Sequence, residues 1–186
     1  MTNAHRKSKQ PEQVRQQVLA VTGALAAEAG ISGVTLDAVA AAAGVSKGGL
    51  LHHFPNKAAL IDGLFERLLV AFDAAVTAAM AADSVPAGRY SRAYVAVCFD
   101  LEDAPAGAGW RVLTVALLAD PSLKARWQAF VAEKAAHHAE TDATPGCLAA
   151  RFAADGVWLA DMLGSHRLEP GERQALKARL MALTTE

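Results

Sequence analysis

Between Gly33 and Pro55 the chain is punctuated so closely that few local arrangements are open to it. Thr35 can cap a helix that begins at Leu36, where Asp37 complements the positive helix end. Gly44 stops that helix after about two turns. Ser46 can cap a second helix starting at Lys47, and Pro55 ends it, because the residue before a proline is pushed out of helical geometry. Two short helices, 36–43 and 47–54, are therefore joined by Gly44-Val45-Ser46, which has the length and chemistry of a helix-turn-helix connection. Leu50 and Phe54, four apart, are expected to face inward onto a small apolar base. The opposite face then projects, as an element entering a DNA major groove about 12 Å wide must.

The flanks extend the helical pattern. A helix is expected over 11–29, with Val14, Val18, Val21 and Leu25 on one face, Pro11 in its first turn and Gly30 as a stop. Residues 1–10 read as a flexible basic arm. A long helix from Lys57 to about Ala82 keeps its period through Ile61, Leu64, Phe65, Leu68, Phe72, Val76 and Met80. It is long enough to leave the first core and enter a second. Further helices are expected over 89–100, 110–119, 122–141, 145–166 and 170–184, separated by Pro- and Gly-containing breaks that include Pro105, Pro121 and Pro170. No stretch alternates as a strand does. The expected fold is all-α with about nine helices: a head over 1–57 and a larger helical domain over 58–186.

Composition narrows the class. Hydrophobic residues make up 53% of the 186 and charged residues 20%, a globular balance. The net charge of −1 hides an asymmetry. Residues 1–57 hold six basic and three acidic side chains, and the remainder holds 12 basic and 16 acidic ones. A basic head suits a polyanion at one end only, while a pI near 6.6 argues against a general nucleic-acid coat protein. No apolar run reaches the ~18 residues of a membrane helix, and the polar N-terminus has no signal-like core. With only Cys98 and Cys147, no disulfide framework is expected, and a reducing cytoplasm fits.

The stretch GVTLDAVAAAAGVSKGGLLHHFPNKAALIDGL, Gly33 to Leu64, strongly resembles the TetR family of bacterial transcriptional repressors. The matching signature is a Thr-capped helix, then Ala-x-x-x-Gly-Val-Ser-Lys-Gly, then Leu-x-x-x-Phe, then a lysine opening an apolar helix. The resemblance implies a three-helix DNA-binding head, a helical ligand domain, and a homodimer formed by the last two long helices on a palindromic double-stranded DNA operator. It implies no cofactor and no membrane partner. By the same resemblance, Lys47 reaches guanine acceptors or a phosphate, and Gly48 allows close backbone approach. His52 and His53 face the phosphate backbone, and Lys57 meets a phosphate. Thr35 and Ser46 can hold a phosphate while capping. Gly49 and Leu51 replace the family's commoner Thr and Tyr, which leaves the reader helix sparse in hydrogen-bonding groups.

Two further surfaces are expected in the larger domain. Tyr94, Cys98, Trp110, Thr114, Trp127, Phe130, Phe152, Trp158 and Met162 are candidate linings for an unidentified small organic effector. A stripe of small residues (Ala149, Ala153, Gly156, Ala160, Gly164), with Leu176, Leu180 and Leu183 on the last helix, is the candidate dimer seam. His137 and His138 are adjacent on a helix and diverge by about 100°, so they do not chelate together. Asp161, Ser165 and His166 form no triad, and no nucleophile elbow exists, so an enzyme is not expected. The expectation is a ligand-responsive repressor. The alternative is a small-molecule binding protein with a degenerate DNA head.

Overall fold

The computed structural model describes residues 3–101 and 107–185, with side chains from Pro11 onward except that of residue 108. Among the described residues every regular element is a helix. In chain order they are α1 (Asn3–Gly33), α2 (Leu36–Ala43), α3 (Lys47–His53), α4 (Lys57–Ala82), α5 (Arg89–Asp100), α6 (Gly107–Ala119), α7 (Pro121–His137), α8 (Ala139–Asp142), α9 (Pro145–Leu163) and α10 (Pro170–Leu183). They form two compact units, Met1–Leu69 with Pro105–Leu123, and Val70–Ala104 with Lys124–Glu186. Helix α4 contributes residues to both. None of the described helices is long and apolar enough to cross a membrane.

In the first unit, α1 carries Val18, Leu19, Thr22 and Ala26 on its buried side, while Val14, Val21 and Leu25 are only half-buried. The buried stripe is thus rotated toward smaller side chains, and the Thr22 hydroxyl is satisfied by donating to the Val18 carbonyl at 2.7 Å. Residues 3–10, expected as a loose arm, are helical; residues 1 and 2 lie outside the described residues. Pro11 sits inside the helix, where it removes one backbone donor while the turns on either side keep theirs. The expected stop at Gly30 is a break at φ 69°, after which helix resumes to Gly33.

The head's turn follows the reading from sequence. The Thr35 hydroxyl accepts from the Ala38 N–H at 3.1 Å. Gly44 adopts φ 65°, and its N–H and that of Val45 close the last carbonyls of α2. Gln17 from α1 donates to another of these, the Ala43 carbonyl, at 2.9 Å. The Ser46 hydroxyl accepts from the Gly49 N–H at 3.1 Å. Leu50 and Phe54 are buried at 0% and 2% exposure. Gly63 of α4 admits the Phe54 ring: a Cβ there would lie 2.7 Å from Phe54 Cε1 and 3.1 Å from Leu19 Cδ2.

The second unit is held by a ring cluster and a polar tie. The Phe72 ring lies 5.5 Å from that of Tyr94, 6.2 Å from Trp127 and 6.5 Å from Phe130. The helix expected over 122–141 ends at His137, and the short α8 follows. The reason is tertiary. The Asp142 carboxylate accepts from the Ser91 N–H at 2.7 Å and from the Thr141 hydroxyl at 2.8 Å, and Arg151 donates to the Ser91 hydroxyl at 2.5 Å. The His138 ring stacks on Tyr90 at 4.5 Å. Helix α9 ends at Leu163 because Gly164 takes φ 64° as its cap, so Gly164 punctuates the helix and is not a rung of it.

Gly63→Ala tests the packing of the head. In an open helix position the change is stabilising by about 1 kcal/mol. Here the methyl collides with Phe54, and a net loss of about 1–3 kcal/mol is expected, read as a lower urea midpoint with unchanged slope.

Candidate nucleic-acid interface

The exposed side of α3 carries Lys47, Gly48, Gly49, Leu51 and His52; Thr35 and Ser46 are exposed at the helix starts, and His53 and Lys57 are half-buried. All nine residues expected to meet DNA therefore lie on one unit, beside the buried anchors Leu50 and Phe54. Their individual environments differ. The Lys47 ammonium lies 2.8 Å and 3.1 Å from the two carboxylate oxygens of Asp37. The Lys57 ammonium donates to the Ile31 carbonyl at 2.5 Å, tying the start of α4 to the chain just past the Gly30 break. Lys57 thus has a structural partner within the first unit. The His52 and His53 rings meet edge to face at 5.4 Å.

The two glycines of the reader helix are not equivalent. A Cβ on Gly49 would lie 3.2 Å from the Ser46 hydroxyl, a contact that a shift of a few tenths of an ångström relieves, and Ala38 carries a side chain at the same place in the Thr35 cap. A Cβ on Gly48 would meet nothing within 4 Å. Packing within the chain gives no reason for glycine at 48, at a position where alanine favours the helix.

The expected effector linings do not form one set. Trp110 and Thr114 belong to the first unit, where Trp110 is 4% exposed and the Thr114 hydroxyl donates back to its carbonyl at 3.0 Å. In the second unit Tyr94 and Cys98 are buried, and Trp127 and Phe130 stack at 5.7 Å beside Phe72. Trp158 and Met162 are half-buried on α9, and Phe152 on the same helix is 67% exposed. The Tyr94 hydroxyl donates to Asp155 Oδ1 at 2.6 Å. Desolvation beside the buried Tyr94 ring raises the carboxyl of Asp155, itself an exposed residue, above its ordinary range, against the hydrogen bond from Tyr94 and the charge of Arg151. Burial likewise pushes the Tyr94 hydroxyl and the Cys98 thiol up, which leaves the thiol protonated and unreactive. Asp155 escaped the sequence reading; the signal for it was Tyr94, since a buried tyrosine hydroxyl needs an acceptor.

On α9 and α10 a groove of about 240 Å³ is lined by Ala153, Gly156, Val157, Ala160, Asp161, His166, Leu168 and Leu176. Leu148, Phe152, Leu159 and Leu163 of α9 are exposed, whereas Leu180 of α10 is 5% exposed and spent inside the unit.

Residues 18–64 match the family model of bacterial regulatory proteins of the tetR family, and residues 88–185 match that of the tetracyclin repressor-like C-terminal domain. No curated protein matches the sequence. Among solved structures, a TetR-family member from Streptomyces coelicolor A3 is 23% identical, with 92% of this chain and 98% of that one covered at a TM-score of 0.67. A transcriptional regulator from Rhodococcus sp. Rha1 is 22% identical, covering 92% and 94% at a TM-score of 0.67. The multidrug binding protein EbrR, complexed with malachite green, is 19% identical, covering 91% and 97% at a TM-score of 0.69. At these identities the three structures speak for the fold. The helix-turn-helix at 35–54, the all-helical architecture and the two family matches lead to one assignment: the chain belongs to the TetR family of bacterial transcriptional regulators.

Proposed function

We propose that this regulator is a homodimeric repressor that grips a palindromic operator through the exposed face of α3 and releases it when a small organic effector binds the second unit. The observation that carries the DNA reading is the division of α3 into two faces. Leu50 and Phe54 are buried, while Lys47, Gly48, Gly49, Leu51 and His52 are exposed. Lys47 supplies donors for guanine acceptors, Leu51 an apolar contact for a thymine methyl, and His52, His53 and Lys57 the phosphate contacts. Thr35 and Ser46 keep their hydroxyl hydrogens available, since each accepts in its cap. Acting on the chromosome places the protein in the cytoplasm.

The dimer and the effector rest on separate observations. Phe152, Leu159 and Leu163 expose large apolar side chains on α9, next to the groove of small residues. The same face on a second copy covers them with two-fold symmetry. For the effector, EbrR is complexed with malachite green in one structure and ethidium in another. Here the rings of Tyr94, Trp127 and Phe130 around Phe72, with Asp155 on the Tyr94 hydroxyl, offer aromatic walls and one acid. Cys98 is a secondary candidate, and Trp158 and Met162 follow from their place on α9; Phe152 belongs to the face given to the second copy, and Trp110 and Thr114 lie in the first unit. Helix α4 carries Phe72 in one unit and Gly63, the seat of Phe54, in the other. An effector that prefers a different setting of α4 would withdraw the two heads from successive grooves.

Selection from a random DNA pool tests this reading. The expected product is an inverted repeat with half-sites about 34–36 Å apart. Recovery of no discrete site in a footprint would overturn it. Lys47→Ala should weaken operator binding about tenfold or more, the scale of one base-edge contact. Gly48→Ala should stabilise the fold by up to about 1 kcal/mol. It should also weaken operator binding, because the added methyl points into the open space the DNA would occupy; a stabilised variant with unchanged affinity would show that the backbone makes no close approach at 48.

A further inference from the structure

We propose that Asp37 is a specificity-determining residue, holding the Lys47 ammonium in an ion pair that accepts the neutral edge of a guanine and disfavours a phosphate. The proposal rests on α3 being the DNA reader. Asp37 lies in the first turn of α2 and Lys47 opens α3, so the pair bridges the two helices of the helix-turn-helix. The ammonium is 2.8 Å from Oδ1 and 3.1 Å from Oδ2, with the side chains 58% and 72% exposed. An ion pair this exposed contributes little to folding. Its consequence lies at the surface that faces DNA.

A lysine ammonium has three donors, and a carboxylate engages at most two of them. The remaining donor can reach guanine O6 or N7, which are uncharged acceptors, with the pair left intact. A phosphate oxygen is anionic, and bringing one to the same ammonium sets it against the Asp37 carboxylate at close range. Asp37 therefore lowers the value of Lys47 for backbone contacts, which are the same on every sequence, more than for base contacts. The exposed side of α3 is sparse in donors: Gly48, Gly49 and Leu51 bring none from a side chain, so reading by hydrogen bond is shared between Lys47 and His52 at most. Among the described residues, three further cations of the head also have protein partners. Lys57 donates to the Ile31 carbonyl, Arg67 donates to the Gln16 carbonyl, and Arg15 lies 5.4 Å over the Phe54 ring.

The test is equilibrium binding of the full-length protein and its Asp37→Asn variant to the selected operator and to a random duplex of equal length, across a potassium chloride series. For Asp37→Asn the affinity for random duplex is expected to rise about five- to tenfold, and the log–log salt dependence to steepen by about 0.9 per head as Lys47 turns to a phosphate. The operator-to-random ratio is expected to fall about tenfold. In a Lys47→Ala background, Asp37→Asn should change that ratio by less than about twofold, because there is no ammonium left to direct. An unchanged ratio and slope overturn the proposal, as does an equal loss of ratio with Lys47 absent, which would make Asp37 a general repulsive charge. Asp37→Ser, also suited to a first helical turn, repeats the test if the Asn variant does not fold. A wild type that prefers no duplex overturns the reader assignment itself; a wild type that discriminates, with a variant that discriminates equally, removes only the role of Asp37.

Discussion

Phe54 closes the reader helix and also fastens it. The ring sits where α1, α3 and α4 meet, against Leu19, in the space left by the missing Cβ of Gly63, with the Arg15 guanidinium 5.4 Å over its face. Helix α3 spans only Lys47–His53 and includes two adjacent glycines, so by propensity and length it has little stability of its own. Its direction is imposed by Phe54 and Leu50 on the inner side and by the Ser46 cap at its start. Because adjacent helical residues point about 100° apart, fixing Leu50 inward sends 48 and 52 to the opposite side and 51 to the flank, while Lys47, one turn before Leu50, is exposed because it opens the helix. The interaction surface follows from the packing of one aromatic ring.

The charge of the head is managed as closely as its packing. Its basic excess is modest, and among the described residues Lys47 has Asp37 as partner, Lys57 the Ile31 carbonyl and Arg67 the Gln16 carbonyl. Such a surface gains less from non-specific attraction to phosphates than a bare basic patch does. On the reading proposed for α3, discrimination would fall to shape, close approach at Gly48, and a small number of base contacts.

The head was legible in the sequence because local chemistry specifies it. Thr35, Gly44 and Ser46 set the ends of α2 and the start of α3 through bonds to residues no more than five apart. The interior period of α4 and the breaks around Pro86, Pro145 and Pro170 were readable for the same reason. What escaped were effects of distant partners. The end of α7 at His137 depends on Asp142 reaching Ser91, 51 residues away. Lys57 read as a phosphate contact, and nothing local signalled the Ile31 carbonyl that it meets from 26 residues earlier. Leu180 shared a helical stripe with Leu176, yet it is buried within the unit while Leu176 lines an open groove. Asp37 read as a helix-end charge alone, because its pairing with Lys47 exists only once the turn has folded.

The effector proposed for the second unit would meet its ring cluster and acid. The central claim concerns the head, and amide hydrogen exchange on the full-length protein with and without its selected DNA tests it directly. Slowed exchange concentrated at Lys47–His53, with the starts of α2 and α4 following, is the result this account predicts. Slowed exchange elsewhere on the chain, with α3 exchanging as it does in the free protein, would contradict it.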